Sequence, residues 1–284
     1  MSATATTKPQ QTDAPIPPLE NGDRLTREEF HRRYEAMPEL KKAELINGRV
    51  YIAADVRCPS TNGIPPLENG DRLTSEEFLR RYEAMPGVKA ELIDGVVYMA
   101  SPVSFENHGN PQYNLIGWTY PFVAATPGVR GGDNSTLKLN LRNVPQPDAF
   151  LIVDPRFGGQ VRIKDGYIVG GPEWIAEVAA SSASYDLHDK LETYRQNGVK
   201  EYLVWRVLDQ AIDWFVLVGE QYERLPLSPE GWYKSRVFPG LWLDPQALLA
   251  DDLAKVFAVV QQGVASAEHQ QFVADLANRQ STAR

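Results

Sequence analysis

Apolar and polar positions along this 284-residue chain change period repeatedly, the pattern of short helices and strands packed around a common core. Thr26 with Glu29, and Thr74 with Glu77, have capping-box spacing ahead of two short amphipathic helices, each ended by Met-Pro. After the second helix, AELI and VVYM flank Asp94-Gly95, a strong signal for a tight hairpin. Within residues 107–125, Tyr113, Ile116, Tyr120 and Val123 recur at helical spacing, with Pro111 and Pro121 marking the ends. Residues 135–141, 149–153 and 174–179 read as strands, and 161–163 with 167–169 as a hairpin around Lys164-Asp165-Gly166. Residues 186–196 read as a helix closed by Asn197-Gly198, and 201–207 and 212–218 as aromatic and β-branched strands. Two amphipathic helices, split near Gly263, are predicted over 244–278. Their apolar stripe, which includes Leu248, Leu249, Val256, Phe257 and Val260, is either a lid on the sheet or a dimer surface.

One segment occurs twice. PPLENGDRLTREEFHRRYEAMP, from Pro17, returns from Pro65 as PPLENGDRLTSEEFLRRYEAMP, and AELINGRVYIA returns as AELIDGVVYMA. Two copies are too few for a solenoid, so the pattern reads as a partial tandem duplication. The second copy runs into the rest of the chain and is the native element; the first is a spare that packs outside, swaps between chains or stays mobile. The expected organisation is a disordered tail (1–16), the duplicated copy (17–64), a main domain (65–250) and a C-terminal helical extension (251–284).

Composition narrows the function classes. With 43% hydrophobic residues the chain can bury a real core, and its net charge of −8 argues against a polybasic surface that coats nucleic acid. A single cysteine, Cys58, offers neither an internal disulfide nor a cysteine zinc site, which fits a reducing compartment. The first residues do not read as a secretory signal and no long apolar run reads as a membrane span, so a cytoplasmic protein is expected.

Three polar residues stand where burial rules disfavour them. Asp148 opens an apolar strand after Gln146-Pro147, Glu177 lies inside WIAEVAA, and Lys190 borders the Leu187-Leu191-Tyr194 stripe of its helix. Two carboxylates on adjacent strands with one ammonium suit metal-assisted phosphodiester hydrolysis, in which hard oxygens hold Mg²⁺ and the lysine orients water or neutralises developing charge. The bland readings are a turn aspartate, a buried salt bridge and a solvated helix lysine.

These residues carry a resemblance. AELIDGVVYMASP, VPQPDAFLIV, GPEWIAEVAASSASYDLHDKLETYRQNGVKEYLVW and VFPGLWLDPQALL resemble, in order, the restriction-endonuclease-like Uma-two family of the PD-(D/E)XK nuclease superfamily. The resemblance implies an α/β (α+β) fold with a central mixed sheet flanked by helices, and a Mg²⁺-dependent endonuclease acting on DNA, with Mn²⁺ as a possible substitute. It implies Asp148 and Glu177 as metal ligands and Glu91 as a further acid, whose duplicate is Glu44. The superfamily lysine commonly follows the second acid by two residues, where this chain has Ala179; the resemblance puts it at Lys190, with Asp186 capping that helix. The Ala-Ala-Ser-Ser-Ala-Ser run after Glu-Val departs from the family pattern but removes no ligand. A homodimer follows by analogy with nucleases that cut both strands. A catalytically silent module that binds nucleic acid or a protein partner is the alternative.

Other signals are weaker. His31 and His188 read as exposed, and His108 as a helix-terminal residue near the site. Between Arg130 and Lys200, nine basic residues balance nine acidic ones, which permits DNA without predicting it. Trp205, Trp214 and Trp232 read as core rather than as base-stacking platforms.

Overall fold

The run WIAEVA, apolar but for one glutamate, forms the strand on which the molecule is built. The structure is a computed structural model that describes residues 16–20, 22–38, 40, 43–52, 64–99, 104–180 and 185–282. The expected disordered tail, all but its last residue, lies outside these residues, as do Cys58 and residues 181–184 of the serine-rich run.

The first copy holds α1 (Arg27–Glu35), β1 (Ala43–Ile46) and β2 (Arg49–Ile52); the second holds α2 (Ser75–Glu83), β3 (Ala90–Ile93) and β4 (Val96–Met99). A π-helical turn (Phe105–Gly109) runs into α3 (Asn110–Ala125), followed by β5 (Val129–Gly132), β6 (Leu137–Lys138) and β7 (Ala149–Val153). Then come β8 (Arg162–Lys164), β9 (Tyr167–Val169), β10 (Trp174–Ala179), and a second π-helical turn (Asp186–Lys190) leading into α4 (Leu191–Gln196). The chain continues with β11 (Glu201–Arg206), β12 (Ala211–Val218), β13 (Gln221–Arg224), β14 (Tyr233–Lys234) and β15 (Trp242–Leu243). It closes with α5 (Pro245–Leu249), α6 (Leu253–Val264) and α7 (Ala267–Thr282).

Six strands form one mixed sheet in the order β13-β12-β11-β10-β7-β5, with β10 and β11 parallel and the other neighbours antiparallel. Side chains of β10 alternate between two cores. Trp174, Ala176 and Val178 join Trp118, Trp214 and the buried faces of α3 and α6; Ile175 and Ala179 join Tyr194, Tyr202 and the α4 side. Trp118, Trp174 and Trp214 meet edge to face, with centroids 5.9–6.2 Å apart. Trp205 is buried in the same core, so it and Trp214 are packing residues as read, whereas Trp232 is half-buried outside any strand, beside Trp242. Leu248, Val256 and Val260 are buried there too, which makes the C-terminal stripe a lid on the sheet rather than a dimer surface.

Several details differ from the sequence expectation. The strand expected over 135–141 shortens to two residues, and the C-terminal region forms three helices instead of two, with Gly263 inside α6. Pro111 sits in the first turn of α3, where its missing N–H is no loss, while Pro121 lies inside the helix. VRGG has little strand propensity, yet β5 pairs with β7 because Gly132 leaves room for the Phe150 ring, which a Cβ there would meet at 2.4 Å. Among the described residues no helix is long and apolar enough to cross a membrane.

The two copies are alike down to single hydrogen bonds. Thr26 and Thr74 cap their helices, Leu19 and Leu67 N–H meet Met37 and Met85 Sδ at 3.0 Å, and Asp94-Gly95 turns with positive φ at both residues, as do Asn47-Gly48. In both copies the capping-box glutamate turns to arginines (Glu29 to Arg32 and Arg33, Glu77 to Arg80 and Arg81). The second copy is tied to the sheet domain by backbone: Ser75 N–H donates to Leu141 O, and Leu92 exchanges backbone bonds with Val144. The first has its own small core of Leu19, Phe30 and Val50, and it docks on the far side of β4 and the Asp186–Lys190 turn.

Docking buries Asp23 completely, whereas its counterpart Asp71 keeps 28% side-chain exposure. Burial raises the Asp23 carboxyl from 3.8 to about 8, with Glu20 and Asp186 adding to the rise and the Glu20 N–H and Arg33 opposing it. A carboxyl that binds its proton more tightly when docked contributes stability that is complete below about pH 4 and is lost as pH rises through about 8. Amide protection factors over residues 22–52 are therefore expected to fall as pH is raised from about 5 to 9, and Asp23→Asn to remove that fall. Equal protection at both pH values in the wild type would contradict this.

Candidate active site

Asp148 and Glu177 are brought together by strand register. Ala149 on β7 pairs with Ala176 on β10 in antiparallel sense, so the residue before one strand and the residue after the pair sit side by side. Glu177 projects from β10 to the face that carries Tyr194 and α4. The turn over Asp186–Lys190 lies over that face, and Lys190 Nζ reaches Glu177 Oε1 at 3.0 Å, Glu91 Oε2 at 3.2 Å and Asp186 Oδ1 at 3.8 Å. Tyr194 OH donates to the same Glu177 oxygen at 2.7 Å. Glu91 arrives from β3, because the Leu92–Val144 bridge lays that strand beside residues 144–148, and its Oε1 accepts from Gln146 N–H at 2.6 Å. All four predicted site residues thus share one cluster. Glu44, the duplicate of Glu91, is exposed on β1 outside it.

On the other side of Glu177, Asp148 Oδ2 accepts from Val178 N–H at 2.8 Å, and Asp148 Oδ1 lies 3.2 Å from His108 Nε2. His108 Nδ1 lies 3.2 Å from the Val178 carbonyl. A carbonyl and a carboxylate both accept, so this setting favours the protonated ring that donates from both nitrogens. His108 is therefore a member of the site; the sequence reading placed it near the site but favoured a helix-terminal bond, and its signal was nearness to the Ser-Pro after the hairpin. Asp186 also departs from expectation: Tyr185 precedes the first turn with no side-chain cap, and Asp186 is buried facing Lys190. His31 and His188 are exposed, as read.

The electrostatics push neighbours apart. Burial raises Glu177, and Asp148, Asp186 and Glu91 add to it, so its carboxyl stands well above the usual range even against Lys190. Burial would raise Asp148 too, yet the His108 bond and charge bring it below its ordinary value. Burial alone would lower Lys190 and His108; the carboxylates around them hold both above their ordinary values instead. Two carboxyls with opposed shifts beside a fixed ammonium form an arrangement able to hold charge and move protons.

Residues 75–246, over half of the chain, match the family Uma2, described as putative restriction endonuclease. The chain belongs to this family. The six-stranded mixed sheet flanked by helices is the fold class that Uma2 membership implies. A crystal structure of a putative nuclease belonging to DUF820 from Anabaena variabilis ATCC 29413 is similar over 64% of this chain and 98% of its own, at 13% identity and a TM-score of 0.44. No curated protein matches.

Metal chemistry can be weighed on the donor set of this Uma2 chain. Among the described residues no three His, Cys, Asp or Glu side chains form a ready cage. Mg²⁺ needs none, since it commonly takes one or two carboxylates and keeps several waters. Asp148 and Glu177, side by side on β7 and β10, offer hard carboxylate oxygens of the kind a hard cation takes, and Asp148 Oδ1 already lies against the cationic side of the site at His108 Nε2.

Removing Lys190 leaves three carboxylates without their common ammonium. Lys190→Met is expected to cost about 3–5 kcal/mol in urea unfolding, and Glu177→Gln added to it to restore a large part. A double variant no more stable than the single one would contradict this coupling.

Proposed function

We propose that this chain is a Mg²⁺-dependent nuclease that hydrolyses DNA phosphodiester bonds, with Asp148 and Glu177 as metal ligands, Lys190 as the catalytic ammonium and Glu91 as an auxiliary acid. The observation that carries the reading is the buried Lys190 ammonium shared by Glu177, Glu91 and Asp186 beside the Asp148 carboxylate. Apolar residues in those positions would usually pack at no loss of stability, so such a cluster points to chemistry.

Asp148 and Glu177 would hold Mg²⁺, with Mn²⁺ as a substitute, and the ion when bound would supply Lewis acidity toward the phosphoryl oxygen and the attacking water. Lys190 Nζ neutralises charge that develops on the phosphoryl oxygens and orients the water. Tyr194 fixes the Glu177 oxygen that Lys190 uses, and Glu91, tied to Gln146 N–H, holds the ammonium in place. His108 keeps Asp148 anionic.

Charge outside the cluster also suits a polyanion. An open recess of about 760 Å³ at the far end of β7 is lined by Arg130, Arg156, Arg162 and Lys164 with Asp154 as its one acid. Asp154 follows Asp148 by six residues, about 20 Å along the strand, a span within one turn of duplex DNA.

One observation favours a second reading, a nuclease-fold module that binds without cutting. Asp148, Glu177 and Lys190 are only 5%, 3% and 5% exposed, which leaves a scissile phosphate no direct access in this conformation.

The two readings separate on a panel of single-stranded, duplex and branched DNA with Mg²⁺ or Mn²⁺. Wild type is expected to cut, and Glu177→Gln and Lys190→Met to lose about 100-fold or more. DNA binding without cleavage by any form selects the module, and variants that cut as fast as wild type overturn the site. In a binding assay, Arg162→Ala with Lys164→Ala is expected to weaken all DNA sequences alike and to reduce the slope of log K against log salt by about 2. An unchanged slope would remove the recess from the DNA path.

A further inference from the structure

The two repeat copies touch each other reciprocally. A Cβ on Gly22 would lie 3.0 Å from Tyr98 Cε1, and a Cβ on Gly70 would lie 3.2 Å from the Tyr51 ring. Gly22 and Gly70 are equivalent positions of the repeat, and so are Tyr51 and Tyr98. Both glycines have positive φ, so each backbone lies flat against the other copy's ring. A contact of one position with another, matched by its mirror, is the mark of an isologous two-fold interface.

The differences between the copies follow from where each one sits. In the PPLENGDRLT stretch and its helix the only two differences are Arg27 for Ser75 and His31 for Leu79. Ser75 is buried against the sheet domain, whereas Arg27 and His31 line an open recess of about 520 Å³ with Ala43 and Ile46. The first copy has lost the sheet domain from that face and carries polar residues there. Its Arg49, in place of Val96, pairs with Asp189 and bonds Tyr98 OH. Arg24 also meets Asp189, at 2.8 Å. The equivalent of Arg24 is Arg72, which is exposed.

We propose that the face carrying Gly70, Tyr98 and Asp189 is a self-recognition surface, built to seat the 65–99 element of a second copy of this chain, and that the first repeat copy fills that seat from within the same chain. A second chain would bring Arg72 to Asp189 where Arg24 now sits. The open recess on the first copy marks where that chain's own sheet domain would attach, so the second body has room. The seam is incomplete as it stands: Asp23 Oδ1 and Tyr185 OH are buried there without a hydrogen-bond partner.

Among the described residues the first copy contributes none to the four cores of the remainder, and the family match begins at residue 75, so residues 65–284 keep all of their cores without it. Light scattering at about 100 µM tests the proposal. The full chain is expected to be a monomer, residues 65–284 a dimer of twice the mass, and Arg72→Glu in the shortened chain a monomer again. In the full chain, Arg24→Glu with Arg49→Glu is expected to release the first copy, read as lost amide protection over residues 22–52, and to produce the dimer. A folded shortened chain that stays monomeric, or a dimer that Arg72→Glu leaves intact, overturns the proposal. Should the shortened chain fail to fold by circular dichroism, the full-length double variant decides: a released copy with a monomeric mass, or a copy that stays docked after charge reversal, overturns it equally.

Discussion

A lysine ammonium with almost no solvent exposure can persist only if carboxylates hold it, and the architecture around Lys190 follows from that constraint. Glu177 comes from the middle strand of the sheet, Glu91 from the hairpin of the second repeat copy, and Asp186 from the helical turn that carries the lysine itself. Three separate parts of the chain are thus fastened at one charge. Breaking any of them leaves buried charge uncompensated, which is far more costly than losing an equal area of apolar contact. The same cluster supplies what phosphodiester chemistry requires, so the most demanding structural feature and the proposed function coincide.

Much of the sheet was legible because its strands are buried on both faces. WIAEVA, AFLIV and EYLVWR are continuous apolar runs with few alternatives, and each is a strand as read. β5 was not legible: VRGG has the wrong propensity, and it pairs only because Phe150 of the neighbouring strand needs the space the glycines leave. Residues 135–141 looked longer as a strand than they are: Leu137 and Lys138 pair with β9, Leu137 and Leu139 pack into the α4-side core, and the chain then turns through Asn140 and Asn143. Such outcomes depend on tertiary packing that local pattern does not encode.

The site was legible to the extent that a misplaced charge is visible in a sequence. Glu177 within an apolar strand and Lys190 beside an apolar stripe stood out, and the family resemblance supplied Glu91. His108 and Tyr194 did not stand out, because a histidine at a helix start and a tyrosine on an apolar helix face are ordinary residues; only the fold brings them to Asp148 and Glu177. Asp186 was misassigned for a related reason, since an aspartate at a helix start suits a cap as well as a buried partner.

The first repeat copy forms a layer beside this site and contributes none of the residues named in it. The first copy repeats the helix and hairpin of the second, keeps their internal bonds, and changes mainly where it lost one neighbour and gained another. Its Arg24 and Arg49 rest on Asp189, one residue from the buried lysine. Access to the cluster and the docking of the spare copy are therefore physically adjacent questions.

The central claim is that this cluster is a cation site, and the most direct measurement is Mn²⁺ titration of the full chain followed by electron paramagnetic resonance, with Asp148→Asn alongside. The account predicts that wild type removes free Mn²⁺ signal with saturation, that Mg²⁺ competes for the same site, and that Asp148→Asn loses it. Wild type that leaves the Mn²⁺ signal untouched, or Asp148→Asn that binds as well as wild type, would contradict it.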